Sequence, residues 1–191
     1  EFVAGFMNIQ HIAYDIPRNL FPVSATAVRN NILANWNFLP DSVKPYFAIK
    51  VVVLGTESTG KTTLTKALAK HFKCSFVMEA GREIIPNSNA FQFDDLYLVA
   101  AEQAKRINEA VLNDSLLVII DTDIHTTKSY AQFIFGKKLE VSPDIYQSNH
   151  ANLYLYLNND VEFFQDGTRL SEAERNLLDR SHREILTDHG I

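Results

Sequence analysis

The chain has 191 residues, 46% of them hydrophobic and 21% charged, with a formal net charge of −5. That is enough for one fair-sized domain and a fragment of another, and the acidic balance argues against a nucleic-acid-binding face, which needs clustered basic residues. A single cysteine, Cys74, excludes an internal disulfide framework or a cysteine-rich zinc site and makes a reduced, cytoplasmic compartment the expectation.

Residues 1–47 are loop-rich and hold four of the six prolines. Their start, "EFVAGFMNIQ", has no basic region followed by an apolar core, so it does not read as a signal peptide, and it does not begin with Met. Within this segment, "PVSATAVRNN" (22–31) offers Ser24 and Thr26 at a helix start and Arg29 one turn later, a grouping able to hold an anion. A boundary falls near Phe47.

Beyond it, "AIKVVVL" (48–54) reads as a buried strand, and Thr62–Phe72 as a helix. "CSFVME" (74–79) reads as a second strand. Asp94–Leu112 is an amphipathic helix with Leu96, Val99, Ala100, Ile107 and Val111 on its apolar face. "LLVIID" (116–121) is a third strand, "HTTKSYAQFIF" (125–135) a helix, and "ANLYLYLN" (151–158) a fourth strand. Ser171–His189 is a helix with Ser171 and Glu174 spaced as a capping box. Strands alternating with helices predict an α/β fold, a parallel sheet with helices on both faces. No apolar run approaches the roughly 20 residues that span a bilayer. The chain ends where a further strand would be expected, so it reads as clipped at both ends.

The sharpest signal is "GTESTGKT" (55–62), which fits G-x-x-x-x-G-K-[ST] at every position. Glycines let the backbone fold around an anion, so that the N–H groups of Gly55, Thr56, Glu57, Ser58, Thr59, Gly60, Lys61, Thr62 and Thr63 can converge on phosphate at a helix N-terminus. Lys61 reaches the β- and γ-phosphates of ATP, and the Thr62 hydroxyl ligates Mg²⁺. Asp121, at the end of the third strand, is positioned to organise the same ion. Asp123 follows two residues later, where it could instead cap the next helix.

A phosphate loop names a nucleotide, not a reaction. Switch GTPases carry a guanine-reading N-K-x-D after a later strand, and here the fourth strand runs into "NNDVEFF" without that lysine. A small-molecule kinase needs an acceptor pocket, a residue that orients the attacking hydroxyl and positive charge on the transferring group. In "MEAGRE", Glu79 lies at the carboxyl end of the second strand, where open α/β sheets bind ligands, and Arg82 follows one turn later; a surface ion pair is the plainer alternative. Asp166-Gly167 marks a turn, and Arg169 and Arg175 flank the start of the last helix, where they either clamp phosphate or sit on a solvated face. The histidines stand in no metal-ligand spacing and read as surface residues.

Together, "VVVLGTESTGKTTL", "MEAGRE", "IIDTDIHTT" and "LNNDVEFFQDGTR" resemble the NadR family of NAD-biosynthesis proteins over nearly the whole chain. The resemblance implies that residues 48–191 are a P-loop ribosylnicotinamide kinase domain, lacking its last strand, that phosphorylates nicotinamide riboside with ATP and Mg²⁺. Residues 1–47 are then the tail of a Rossmann-like adenylyltransferase domain plus a connector, with Ser24, Thr26 and Arg29 in the positions of an [IV]-S-x-T-x-[IV]-R phosphate motif. No H-x-G-H partner motif occurs in residues 1–47, so adenylyl transfer is expected of a longer parent protein and not of this chain. In the kinase, Lys61, Asp121, Asp123, Glu79 and Arg169 are the candidate catalytic residues. Glu79, Arg82 and Asp123 are the substrate contacts, Arg175 joins the loop in holding ATP, and Thr62 and Asp121 hold the metal. Glu79, Asp121 and Asp123 compete for the role of orienting the hydroxyl. A kinase for another nucleoside or small metabolite, or a non-catalytic ATP- or NAD-sensing module, is the competing reading. No membrane or nucleic-acid partner is expected.

Overall fold

The computed structural model describes residues 2–85, 90–113, 115–161 and 170–191. The chain forms two compact units, Glu1–Leu39 and Pro40–Ile191.

The first unit contains two short helices, α1 (Phe2–Phe6) and α2 (Ala25–Asn30), and a 3₁₀ helix at Leu33–Phe38. Ahead of α2, the Asp15 carboxylate accepts the backbone N–H groups of Asn19 (2.7 Å), Leu20 (3.2 Å) and Phe21 (2.8 Å). The bond from Phe21 is the chief reason that this carboxyl sits below its ordinary pKa. Ser24 caps α2 by accepting from Ala27 N at 3.0 Å. Phe2, Phe6, Ile12 and Ile16 are exposed, as expected of a segment near the ~40-residue lower limit for burying its own core.

The second unit starts with α3 (Lys44–Phe47) and continues β1 (Ile49–Leu54), α4 (Lys61–Phe72), β2 (Ser75–Val77), α5 (Gly81–Ile84), α6 (Phe93–Ala110), β3 (Leu117–Asp121), α7 (Ile124–Phe135), α8 (Pro143–Asn149), β4 (Leu153–Tyr156) and α9 (Glu172–Asp188). The four strands form one parallel sheet in the order β2-β3-β1-β4. Parallel pairing needs a crossover of a dozen or more residues, and the intervening helices supply it. Val51, Val53 and Ile119 pack with Ala69, Leu64 and Leu68 of α4 on one face. Strand residues alternate between faces, which turns Val52, Val118 and Ile120, all fully buried, to the other. A second apolar cluster joins Leu96 and Ala100 of α6 to Ile124 and Ala131 of α7 and to Leu139. The α/β parallel architecture read from the sequence is therefore the one observed.

Register sets the site. Val53 pairs with Asp121, Leu54 with Tyr156 and Val77 with Ile120, so the carboxyl ends of all four strands share one edge. Strand β2 is shorter than the predicted 74–79 run, and Glu79 lies two residues beyond its end. The single-turn helices α3 and α5 carry no helical periodicity to detect. The start of α8 was marked in the sequence by Ser142-Pro143: Ser142 Oγ accepts from Ile145 N, and Pro143 occupies the first turn.

Two buried amides lock this edge. Gln103 of α6 accepts from Ala80 N (2.9 Å) and donates to the carbonyls of Asp121 (3.3 Å) and Thr122 (3.1 Å). Asn149 of α8 accepts from Ile124 N at 3.1 Å and donates to Ile145 O at 2.8 Å. On α9, Asp179 accepts from Tyr156 of β4 (2.7 Å) and from Arg183 (2.8 Å). Replacing Gln103 by Leu strands Ala80 N–H and two carbonyls in the interior; we expect a loss of roughly 2–4 kcal/mol, read as a lower urea midpoint with little change in the far-ultraviolet spectrum.

Candidate functional site

The loop between β1 and α4 turns on two glycines. Gly55 has φ +139°, and a Cβ there would lie 2.6 Å from Leu157 O and 2.9 Å from Thr59 Oγ1. Gly60 has φ +86° and is the N-cap of α4. Both conformations disfavour side chains. Thr59 Oγ1 donates to Thr56 O at 2.9 Å, which ties the loop to itself. Thr56 is buried, and Thr63 is exposed on the first turn of α4. The loop ends on an 18 Å-long helix by the rise of about 1.5 Å per residue, whose amino-terminal N–H groups favour an anion. Lys61 is buried, and its Nζ donates to Thr56 O at 2.7 Å. Burial lowers its pKa, opposed by the charges of Glu79 and Asp121.

The Thr62 hydroxyl donates to Asp121 Oδ2. Asp121 is fully buried, and its Oδ1 has no hydrogen-bond partner among the described residues. Burial raises its pKa, with the bond from Thr62 acting the other way. A hydroxyl and a carboxylate with an orphaned oxygen form the hard-oxygen donor set that Mg²⁺ takes when phosphate oxygens and water complete its shell. Among the described residues no group of three or more His, Cys, Asp or Glu could hold a metal ion. The residues present fit Mg²⁺.

Beside the loop a cavity of about 280 Å³ opens at the carboxyl edge of the sheet. Its polar wall includes Lys61, Glu79, Arg82, Thr126, Thr127 and His182, and its apolar end includes Ile85, Phe91, Leu96 and Val99. Arg82 Nε donates to Glu79 Oε2 at 3.1 Å. Tyr130 also lines the cavity and donates to Glu57 Oε1 at 3.1 Å; burial holds its phenol well above its ordinary pKa.

The structure thus brings Gly55, Glu57, Ser58, Lys61, Glu79 and Arg82 to one cavity, and bonds Thr62 to Asp121, neither of which is among the residues that line it. Asp123 is placed differently. It caps α7 through His125 N (3.0 Å), and its other oxygen meets His125 Nδ1 at 2.7 Å; it is not part of the cavity wall. Glu57 also accepts from Leu170 N at 3.1 Å, so it joins the loop to the approach of α9. The buried Arg175 donates to Asn159 O at 3.2 Å. Arg169 and the Asp166-Gly167 turn lie outside the described residues. In the first unit, Arg29 reaches Thr26 Oγ1 at 3.5 Å on the exposed face of α2.

Two histidines correct the surface expectation: His125 and His182 are only 2% and 3% exposed. For His182 a signal existed, because Leu178, His182 and Leu186 recur at four-residue spacing and are all buried. Gln103 sits likewise on the buried face of α6, but nothing in its local sequence shows that it bridges two strand ends. Thr126 stood in the "DTDIHTT" stretch without a role.

Residues 50–191 match the AAA domain family over most of the chain. The chain belongs to the AAA domain family. It is also 28% identical over 97% of its length to the trifunctional NAD biosynthesis/regulator protein NadR of Salmonella typhimurium, and the same figures hold for the Escherichia coli protein. It spans about half the length of these curated relatives, 47%. A solved NadR structure in complex with NR superimposes with a TM-score of 0.74 at 23% identity, covering 99% of this chain and 58% of that one. A second, with NAD and AMP-PNP, gives 0.68 at 23% identity over 91% and 50%. At this identity these structures establish the shared fold. Among the described residues no helix is long and apolar enough to cross a membrane.

His182 also makes folding pH-dependent. Burial, with the Lys61 charge adding to it, pushes its pKa down to about 3. The unfolded chain therefore binds the extra proton below an ordinary value of about 6.5, and stability falls as pH drops through that value towards 3. Between pH 7 and pH 5 the native chain is expected to lose up to about 2 kcal/mol more than a His182→Gln variant, measured by denaturant unfolding at each pH.

Proposed function

We propose that this chain carries an ATP- and Mg²⁺-dependent kinase that phosphorylates the 5′-hydroxyl of nicotinamide riboside, giving nicotinamide mononucleotide. The observation that carries the reading is that the phosphate-loop residues Gly55, Ser58 and Lys61 line the same cavity as Glu79 and Arg82, while Thr62, next to Lys61 in the chain, bonds the Asp121 carboxylate. A loop alone would suit any nucleotide; the adjoining acceptor-sized space suits a small second substrate. Homology to NadR, and NadR structures described with NR and with NAD and AMP-PNP, favour the riboside as that substrate.

In this mechanism the loop N–H groups and the α4 N-terminus hold the ATP phosphates, and Lys61 leaves Thr56 O to neutralise the charge that develops on the transferring group. Thr62 and Asp121 would hold Mg²⁺, which when bound would neutralise charge on the phosphate oxygens. Glu79, the candidate carboxylate at the cavity away from the metal pair, accepts a hydrogen bond from the riboside and orients its hydroxyl. Arg82, which donates to Glu79 Oε2, orients that carboxylate and adds positive charge. The Asp123 contacts favour a supporting role, fixing α7 and thereby Thr126 and Thr127. Arg175, expected from the sequence to hold ATP, instead donates to Asn159 O and is not among the residues that line the cavity. In a longer parent protein of the cytoplasm, Ser24, Thr26 and Arg29 would serve an adenylyltransferase domain that ends near residue 47 and converts the mononucleotide to NAD.

The test is phosphate transfer from ATP to nicotinamide riboside, thymidine and uridine, followed by chromatography of the products. Efficient turnover of thymidine or uridine with none of the riboside would sink the assignment. Lys61→Ala is expected to lower kcat by about 10²–10³-fold while the melting curve stays cooperative. Glu79→Gln is expected to impair riboside turnover, with the KM for ATP little changed.

A further inference from the structure

His182 is a buried titratable group that this mechanism leaves unused. It lies in the middle of α9, 3% exposed, and forms part of the cavity wall. Neither ring nitrogen has a hydrogen-bond partner among the described residues. Interior polar groups are nearly always paired, so an imidazole with both nitrogens unpaired beside a ligand cavity points to a ligand as the missing partner. Its placement is rigid: Leu178 and Leu186 are buried one turn to either side, the Tyr130 ring centroid lies 5.8 Å away, and Ser129 Oγ donates to Ser181 Oγ at 2.8 Å, fastening α7 to α9 next to it.

Resting on the kinase reading above, we propose that His182 is a catalytic residue of phosphoryl transfer: as a neutral imidazole it donates a ring N–H to an oxygen of the transferring phosphoryl group, beside Lys61. The phosphate end of the cavity is favoured because the phosphate-loop residues Gly55, Ser58 and Lys61 line the same cavity as His182. Burial and the Lys61 charge disfavour an imidazolium, so His182 contributes a hydrogen-bond donor without a second buried cation. A group with so low a pKa is a poor base near neutrality, which leaves the hydroxyl to Glu79 and the phosphoryl oxygen to His182. Nothing is transferred to or from the imidazole: the O–P bond to ADP breaks, the bond to the riboside oxygen forms, and the hydroxyl proton leaves on the side of Glu79.

The experiment compares the full chain with His182→Leu and His182→Gln by steady-state kinetics, after melting curves establish that each folds. The Leu variant is expected to lose about 10²-fold in kcat with an unchanged KM for the riboside, and the Gln variant, which retains a neutral N–H donor, is expected to recover most of the loss. Unchanged kcat in His182→Leu, a loss confined to KM, or a Gln variant as poor as Leu would overturn the proposal. Should the Leu variant fail to fold, the native chain decides. With ¹⁵N-labelled histidine, and His182→Gln identifying the resonance, a non-hydrolysable ATP analogue is expected to shift the His182 ring N–H to a hydrogen-bonded position; no movement would overturn the contact. If the chain phosphorylates thymidine or uridine but not the riboside, the acceptor assignment fails, and the same kcat comparison with that nucleoside decides His182. If no acceptor is phosphorylated, the kinase reading fails and the analogue titration still decides the contact.

Discussion

The pairing of Val53 with Asp121 puts the last turn of β1 and the end of β3 at one level of the sheet. Everything in the site depends on that register. Gly55 follows directly and begins the phosphate loop, and the helix that the loop starts presents Thr62 to the Asp121 carboxylate. Thr122 N then donates to Val53 O at 3.1 Å, extending the ladder one residue past the strand. A slip of one residue would turn every side chain of β3 to the opposite face, taking Asp121 away from Thr62. The apolar residues on both faces of these two strands hold the register, because a slip would have to rearrange both packed layers.

Around this junction the protein accepts costly features. Thr122 has φ +60° in a buried position, a conformation that branched residues rarely adopt. Gln103 captures its carbonyl together with that of Asp121 and holds the turn. Lys61, Asp121 and His182 are buried, and burial pushes each towards its neutral form. Their charges are interdependent: Glu79 and Asp121 favour the ammonium of Lys61, and Lys61 in turn favours a neutral His182. Low-dielectric surroundings strengthen each of these interactions. An anion entering beside Lys61 would meet donors already fixed in place, the arrangement that makes phosphoryl transfer a matter of positioning and electrostatics.

The two helices that carry the far wall are set by polar contacts as much as by packing. Asp123 and His125 close the start of α7, Asn149 captures Ile124 N from α8, and Ser129 meets Ser181 on α9. Glu57 adds a link from inside the phosphate loop to Tyr130 of α7 and to Leu170. The cavity-lining Thr126, Thr127, Tyr130 and His182 thus belong to elements fastened to one another and to the loop, rather than to isolated surface segments.

The local sequence determined the parts whose physics is local. "GTESTGKT" names its own conformation, because glycines at 55 and 60 and a helix start at 61 leave few other folds for eight residues. The β-branched runs at 49–54 and 117–121 name buried parallel strands, and Ser171 with Glu174 names the start of α9. Glu79 and Arg82 were recognisable from their place after β2. Only the tertiary structure decided what depends on distant partners. It gave Asp123 to His125 and the α7 cap, where sequence left it competing with Glu79 and Asp121 for the hydroxyl. It put Gln103 across two strand ends. It also set His182 and Lys61 into the wall of one cavity, although 121 positions separate them in the chain. A capping motif or a glycine loop acts within one turn of backbone, so its residues can be read in place. A buried imidazole or amide takes its role from whatever the fold sets against it, and that is decided when the helices pack on the sheet.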